Sequence, residues 1–185
     1  MIDVIYEETK EKMEKSIEGF TNELKKVRTG RASLAILDGI RVDYYGTRTP
    51  LNQIASLSVP ESRLITIQPW DASVIGDIEK AILKSDLGIT PSNDGKLIRL
   101  AIPPLTEERR KEIVKIVNKM TEERKVQIRN IRRDTNDQLK QMKKDGDISE
   151  DESFKAQDEV QKITDQHIKQ VDDIAKIKEK EILEF

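Results

Sequence analysis

The sequence predicts an α+β protein: an elongated three-helix bundle interrupted, after its first helix, by a small α+β domain. Three observations carry this. Of the 185 residues, 37% are Asp, Glu, Lys or Arg and only 4% are aromatic, the composition of long, solvated helices. All six prolines and five of the eight glycines fall between Arg31 and Pro104, so the turn signals are confined to one stretch. That stretch holds 8 basic and 8 acidic residues in 74 positions, whereas the flanks hold 25 and 27 in 111. The expected domains are therefore 1–30 plus 105–185 for the bundle and 31–104 for the insert.

In the first flank, Met13, Ile17, Phe20, Leu24 and Val27 recur at alternating spacings of four and three, one apolar seam of a helix that should end near Thr29-Gly30. The insert alternates differently. In "GIRVDYYG", Ile40, Val42 and Tyr44 face away from polar neighbours, and "SRLITIQP" and "KLIRLAIPP" supply two more strands. Between the latter two, "DASVIGDIEKAILKSDLG" offers Asp71 as N-cap, Ile75, Ile78 and Ile82 as an apolar face, and Leu87-Gly88 as a stop. One helix should cover a small sheet.

After Pro103-Pro104, Thr106 reads as the N-cap of the second long helix, with Glu107 and Glu108 at the positive end of its dipole. Its seam runs Ile113, Val117, Met120, Ile128, Ile131, Leu139 and Met142, interrupted by Arg124 and Thr135. The turn "KKDGD" follows, then Ser149 and Glu152 as a capping box, then a stripe of Val160, Ile163, Val171, Ile174 and Ile177. Helices of about 28, 38 and 35 residues would be about 42, 57 and 52 Å long. With single apolar stripes they must pack on one another to be stable. The connections around Gly30-Arg31 and Pro103-Pro104-Leu105 form a double-stranded hinge between bundle and insert.

Composition excludes several functions. There is no cysteine, hence no disulfide, thiolate nucleophile or Cys-based metal site, and a reducing compartment is the expectation. No apolar run approaches the roughly 18 residues that span a bilayer, and the N-terminus "MIDVIYEETKEK" is acidic and amphipathic rather than signal-like. A soluble, intracellular protein is expected.

The formal net charge of −2 conceals an uneven distribution. From Glu107 to Lys144 there are 13 basic and 7 acidic residues, and from Glu150 onward 6 and 11. Lys125, Arg129, Arg132, Asn136, Lys140 and Lys143 fall within about 80° of one helical face, with Arg133 beside them. Two readings are open. The basic helix pairs with the acidic one, or its arginines, with no carboxylate four residues before Arg129 or Arg133, make bidentate contacts to phosphate. No aromatic interleaves the stripe, so base-specific reading is not expected.

No catalytic constellation emerges. His167, the sole histidine, lies near the seam of the last helix and reads as a half-buried structural residue. "VRTGRAS" lacks the Lys-Ser/Thr ending of a phosphate-binding loop. Acidic pairs such as Glu107-Glu108 and Asp172-Asp173 are what a charged helix surface contains anyway. No catalytic residue, cofactor or metal is expected.

Five spaced motifs, "KVRTGRAS" at 26–33, "YYGTRTPLNQIA" at 44–55, "PPLTEERRK" at 103–111, "IRNIRRD" at 128–134 and "DISEDE" at 147–152, resemble the bacterial ribosome recycling factor family over essentially the whole chain. The resemblance implies a three-helix bundle with a β/α/β domain inserted after the first helix, and an L shape similar to transfer RNA. It implies a cytoplasmic, non-enzymatic factor, expected to act as a monomer. With elongation factor G and GTP, that factor splits the post-termination ribosome into subunits. It further implies that Arg129, Arg132 and Arg133 contact large-subunit ribosomal RNA, with Arg28 and Arg31 as further candidates, and Lys125 joins them as a candidate from the basic stripe. Arg48 stands where the family often has Pro, and Leu34 where "GRASP" is common. The alternative from the residues is a coiled-coil adaptor that binds a protein through the bundle.

Overall fold

The computed structural model describes residues 1–184, which divide into two compact units. One comprises Met1–Val27 with Glu108–Glu184, and the other Arg28–Glu107.

The first unit is built from α1 (Ile2–Lys25), α3 (Glu107–Asp145) and α4 (Glu150–Glu184). Its interior is the meeting of their seams: Met13, Phe20 and Leu24 of α1, Ile113, Val117, Ile128 and Leu139 of α3, and Val160, Ile163 and Val171 of α4 are all buried. The Ser149 box closes as expected, Glu152 N–H donating to Ser149 Oγ at 3.1 Å and Ser149 N–H to Glu152 Oε2 at 2.7 Å.

The seams also differ from expectation in ways that helix geometry explains. In α3, Met120, Ile131 and Met142 are only half-buried, while Thr121 and Thr135 are buried. Thr135 does not interrupt the core because its hydroxyl lies 2.9 Å from that of Thr9, and each is within hydrogen-bonding distance of the carbonyl four residues back. In α4, Ile177 is 63% exposed. It lies six residues past Val171, about 240° around the helix, so Ala175 and Ile182 continue the seam instead. His167 is buried rather than half-buried, its Nδ1 donating to the Ile163 carbonyl at 2.6 Å.

Helix α1 stops at Lys25, earlier than the expected Thr29-Gly30. Gly30 has φ of +80°, incompatible with a right-handed helix, and the Arg28 guanidinium turns to the Leu87 carbonyl.

The second unit combines two antiparallel sheets and one α-helix around a single core. Strands β3 (Ala55–Glu61), β4 (Leu64–Pro69), β5 (Ser92–Asn93) and β6 (Ile98–Ala101) form an antiparallel sheet in the order β3-β4-β6-β5. Strands β1 (Arg41–Tyr44) and β2 (Thr47–Pro50) form a separate hairpin. Helix α2 (Ile75–Lys84) contributes Ile78 and Ile82 to a core with Val42, Leu51, Ile65, Ile67, Ile98 and Leu100. Asp71 caps as expected, accepting from Ser73 N–H at 3.0 Å, but what it caps is the short turn Ala72–Val74 that leads into α2. The helix ends at Lys84, before the expected Leu87-Gly88, because Ser85 is extended (ψ 164°).

Candidate nucleic-acid interface

α3 is positioned by its own seam: once Ile113, Val117, Ile128 and Leu139 face inward, every other residue's direction follows from the helical repeat. The basic stripe then resolves into two rows. Lys125, Arg132 and Lys143 lie within about 20° of one another, on the edge facing α4. Each meets a partner there. Lys125 Nζ lies 2.6 Å from Asp172 Oδ1 and 3.3 Å from Glu122 Oε1, Arg132 Nη1 donates to Gln161 Oε1 at 2.8 Å, and Lys143 Nζ lies 3.3 Å from Glu150 Oε1. The Asp172 carboxylate, by its hydrogen bond, raises the Lys125 pKa despite partial burial, and the ammonium side chain is only 15% exposed.

The outer row is different. Arg129, Arg133 and Lys140 point to solvent, and none has a hydrogen-bond or ion-pair partner among the described residues. On the same arc of about 80° stand Lys115, Lys119 and Lys144, also exposed. Sequence reading centred on the "IRNIRRD" cluster missed these three. The signal that finds them is the helical wheel extended over the whole of α3 and referenced to its buried residues.

Arg124, which reads in sequence as an interruption of the seam, is a tie between helices. Its guanidinium reaches Glu23 Oε1 at 3.0 Å and Gln127 Oε1 at 3.0 Å, and its carbon lies 5.8 Å from the centre of the Phe20 ring. It is therefore committed to the fold. Asn136, on the α4 edge, has a buried side-chain oxygen with no hydrogen-bond partner among the described residues.

The other expected residues lie in the second unit. Arg28 is exposed but donates to the Leu87 carbonyl. Arg31 is exposed, with its backbone N–H 3.4 Å from Thr29 Oγ1. Gly30 is buried, and Leu105 Cγ would lie 3.5 Å from a Cβ placed there. Pro103 and Pro104 are exposed and Leu105 is half-buried.

Among the described residues, no group of three or more His, Asp or Glu could hold a metal ion, and no helix is long and apolar enough to cross a membrane. The exposed Glu122 and Asp137 fall on the same arc, so what the first unit offers is a predominantly cationic face, six cations to two carboxylates, about 45 Å long at about 1.5 Å rise per residue. A surplus of solvated positive charge of this kind attracts anions in general.

A three-helix unit with a predominantly basic face on one helix, and a small sheet domain inserted after its first helix in sequence, defines the class by architecture. Comparison with known proteins is specific. The family model described as "Ribosome recycling factor" matches residues 20–183. The ribosome-recycling factors of Desulfatibacillum aliphaticivorans and Desulfosudis oleivorans are 69% and 71% identical over 185 residues, covering both chains completely. A solution structure of the ribosome recycling factor superposes with a TM-score of 0.79 at 40% identity, covering 100% of this chain and 98% of that one. The Thermus thermophilus factor, placed with Escherichia coli elongation factor G on the E. coli post-termination complex, matches with a TM-score of 0.66 at 48% identity, covering 99% of each. The chain belongs to the ribosome recycling factor family, a family of non-enzymatic translation factors.

Proposed function

We propose that this protein binds the post-termination ribosome in the cytoplasm as a monomer and, together with elongation factor G and GTP, promotes its dissociation into subunits. The observation that carries the reading is the outer row of α3. Arg129 and Arg133 are solvated guanidiniums that the fold does not use, and planar donors of this kind suit the phosphates of large-subunit ribosomal RNA. Arg132 joins them from the inner row, exchanging or sharing its Gln161 contact. Lys125, held by two carboxylates, contributes less, and Arg28 and Arg31 are candidates in the second unit.

The mechanism follows from rigidity and from the two chain connections. The bundle is a stiff lever anchored through phosphate contacts. The segments Gly30-Arg31 and Pro103-Pro104-Leu105 act as a hinge, about which the inserted domain turns when the translocase presses on it. The factor breaks no covalent bond, and GTP hydrolysis belongs to the partner.

The pairing of the inner row with α4 is what an adaptor built around a charge-matched bundle would have. The unpaired outer row is what such an adaptor has no use for. Light scattering of post-termination ribosomes mixed with this protein, elongation factor G and GTP should fall as subunits separate. Scattering that stays constant with all three present would refute the reading.

A further inference from the structure

We propose that Phe154 is a stacking platform for an unpaired nucleobase of the RNA held by α3, an inference that rests on the function proposed above. A lone exposed apolar side chain means little by itself. The place of this one is informative.

Phe154 is 71% exposed, in a chain with only 4% aromatic residues. It lies four residues after Glu150 and seven before Gln161, so all three share one face of α4. Glu150 reaches across to Lys143 at 3.3 Å and Gln161 to Arg132 at 2.8 Å. The ring therefore stands on the edge of α4 that borders α3, between two cross-helix contacts made by the inner basic row.

The charges around it select the part of a nucleic acid that can approach. On α4 the flanking residues are the exposed carboxylates Glu150, Asp151 and Asp158, with one cation, Lys155, paired to Asp151 at 2.9 Å, so the net charge beside the ring is negative and disfavours phosphate. On α3 the nearby residues are Lys143 of the inner row and Lys140 with the rest of the outer row, which attract it. A strand whose phosphates follow α3 has its neutral bases free to cross towards α4, where the first apolar flat surface is Phe154. Stacking requires no hydrogen-bonding partner and tolerates any base, since every base has a π-face. The base must be unpaired, as in a loop or bulge, because a base inside a helix keeps its faces covered. Sequence reading expects no stacking aromatic because it examines α3 alone, and the ring comes from the neighbouring helix.

The test is co-sedimentation of the full-length protein with purified large ribosomal subunits over a salt series, with Phe154→Ala, Phe154→Leu and Phe154→Trp beside the wild type. Ala and Leu should weaken binding about 5- to 100-fold and Trp should restore it. The salt slope should be unchanged in all three, because the ring carries no charge. Thermal unfolding should also be unchanged, since the ring is outside the core. In a Trp70→Phe background, where residue 154 becomes the sole tryptophan, its fluorescence should be quenched on subunit binding.

Several results overturn the proposal: an Ala variant that binds within about twofold of wild type, a Trp variant that fails to restore binding, or fluorescence that is not quenched. A Leu variant as good as Phe overturns it too, because the contact is then apolar packing on a protein. Failure of the function itself has a separate signature, the absence of salt-steep binding by the wild type. Salt-steep binding weakened by Arg129→Ala but indifferent to Phe154→Ala removes only the stacking platform.

Discussion

Arg132 of α3 donates to Gln161 of α4 at 2.8 Å, whereas Arg129 and Arg133, on the same helix, have no such partner among the described residues. Three arginines within five residues thus play two roles. Arg129→Ala and Arg133→Ala should each lower the salt slope of subunit binding by about 0.7 to 0.9 and change stability by no more than about 0.5 kcal/mol. Arg132→Ala should weaken binding and also cost about 1 kcal/mol for the lost contact to Gln161. Paired salt titrations and urea unfolding curves check both. Equal stability losses for all three would mean that the outer row is also structural.

Arg124 belongs to the fold. Its side chain is 12% exposed and joins Glu23, Gln127 and the Phe20 ring. Arg124→Ala should cost about 2 kcal/mol, and Arg124→Lys should recover only part, because an ammonium cannot serve these partners together. Denaturant unfolding decides it, and an unchanged midpoint for Ala would show that the tie contributes nothing.

The same experiment separates the seam from its neighbours. Ile128 is completely buried, and Ile128→Ala should cost about 2 to 5 kcal/mol. Ile177, exposed at 63%, should tolerate the change to Ala within about 0.5 kcal/mol. Ile131, half-buried, should fall between them.

This ordering shows how far sequence reading reaches. Helix number, the insertion after α1, the Ser149-Glu152 box and the strands at Val42, Ile65 and Ile98 were legible because apolar period and caps are local signals. Strand β3 was not, since Pro60 lies within it. The structure accommodates that proline on the edge strand, at a register shift between Ser58 and Glu61, as a residue without an N–H requires. Thr121 and Thr135 were passed over as core because their hydroxyls are satisfied only after the helices form and pack. Likewise the stripe was visible as a face, but its division into paired and unpaired rows depends on where α4 puts Glu150, Gln161 and Asp172.

The hinge is tested through Gly30. At φ of +80° proline cannot be accommodated there, so the informative change is Gly30→Ala. It places a Cβ in ordinary contact with Leu105 but forces a strained backbone. Subunit binding should persist while splitting slows. Unimpaired splitting would remove Gly30 from the mechanism.

The inserted domain has its own acid sensitivity. Asp94 accepts from the Lys96 N–H, the Arg99 guanidinium and the Leu97 N–H, which together hold its pKa down to about 2 from an ordinary 3.8. A carboxyl depressed in the folded state stabilises above its unfolded pKa and loses that contribution as pH falls through the folded one. The loss should therefore run from about pH 4 to about pH 2. Trp70, which lies in this domain, reports it by fluorescence during unfolding. Asp94→Asn should flatten the decline, and an identical decline in the variant would assign it to other groups.

The most direct measurement is binding of the wild type and of the Arg129→Ala/Arg133→Ala double variant to purified large ribosomal subunits across a salt series. Tight wild-type binding that falls steeply with salt, with the double variant weaker and its slope lower by about 1.4 to 1.8, is the expected result. Wild-type binding that is absent, or a double variant with the same affinity and slope, would contradict the assignment of the outer row of α3 as the RNA anchor.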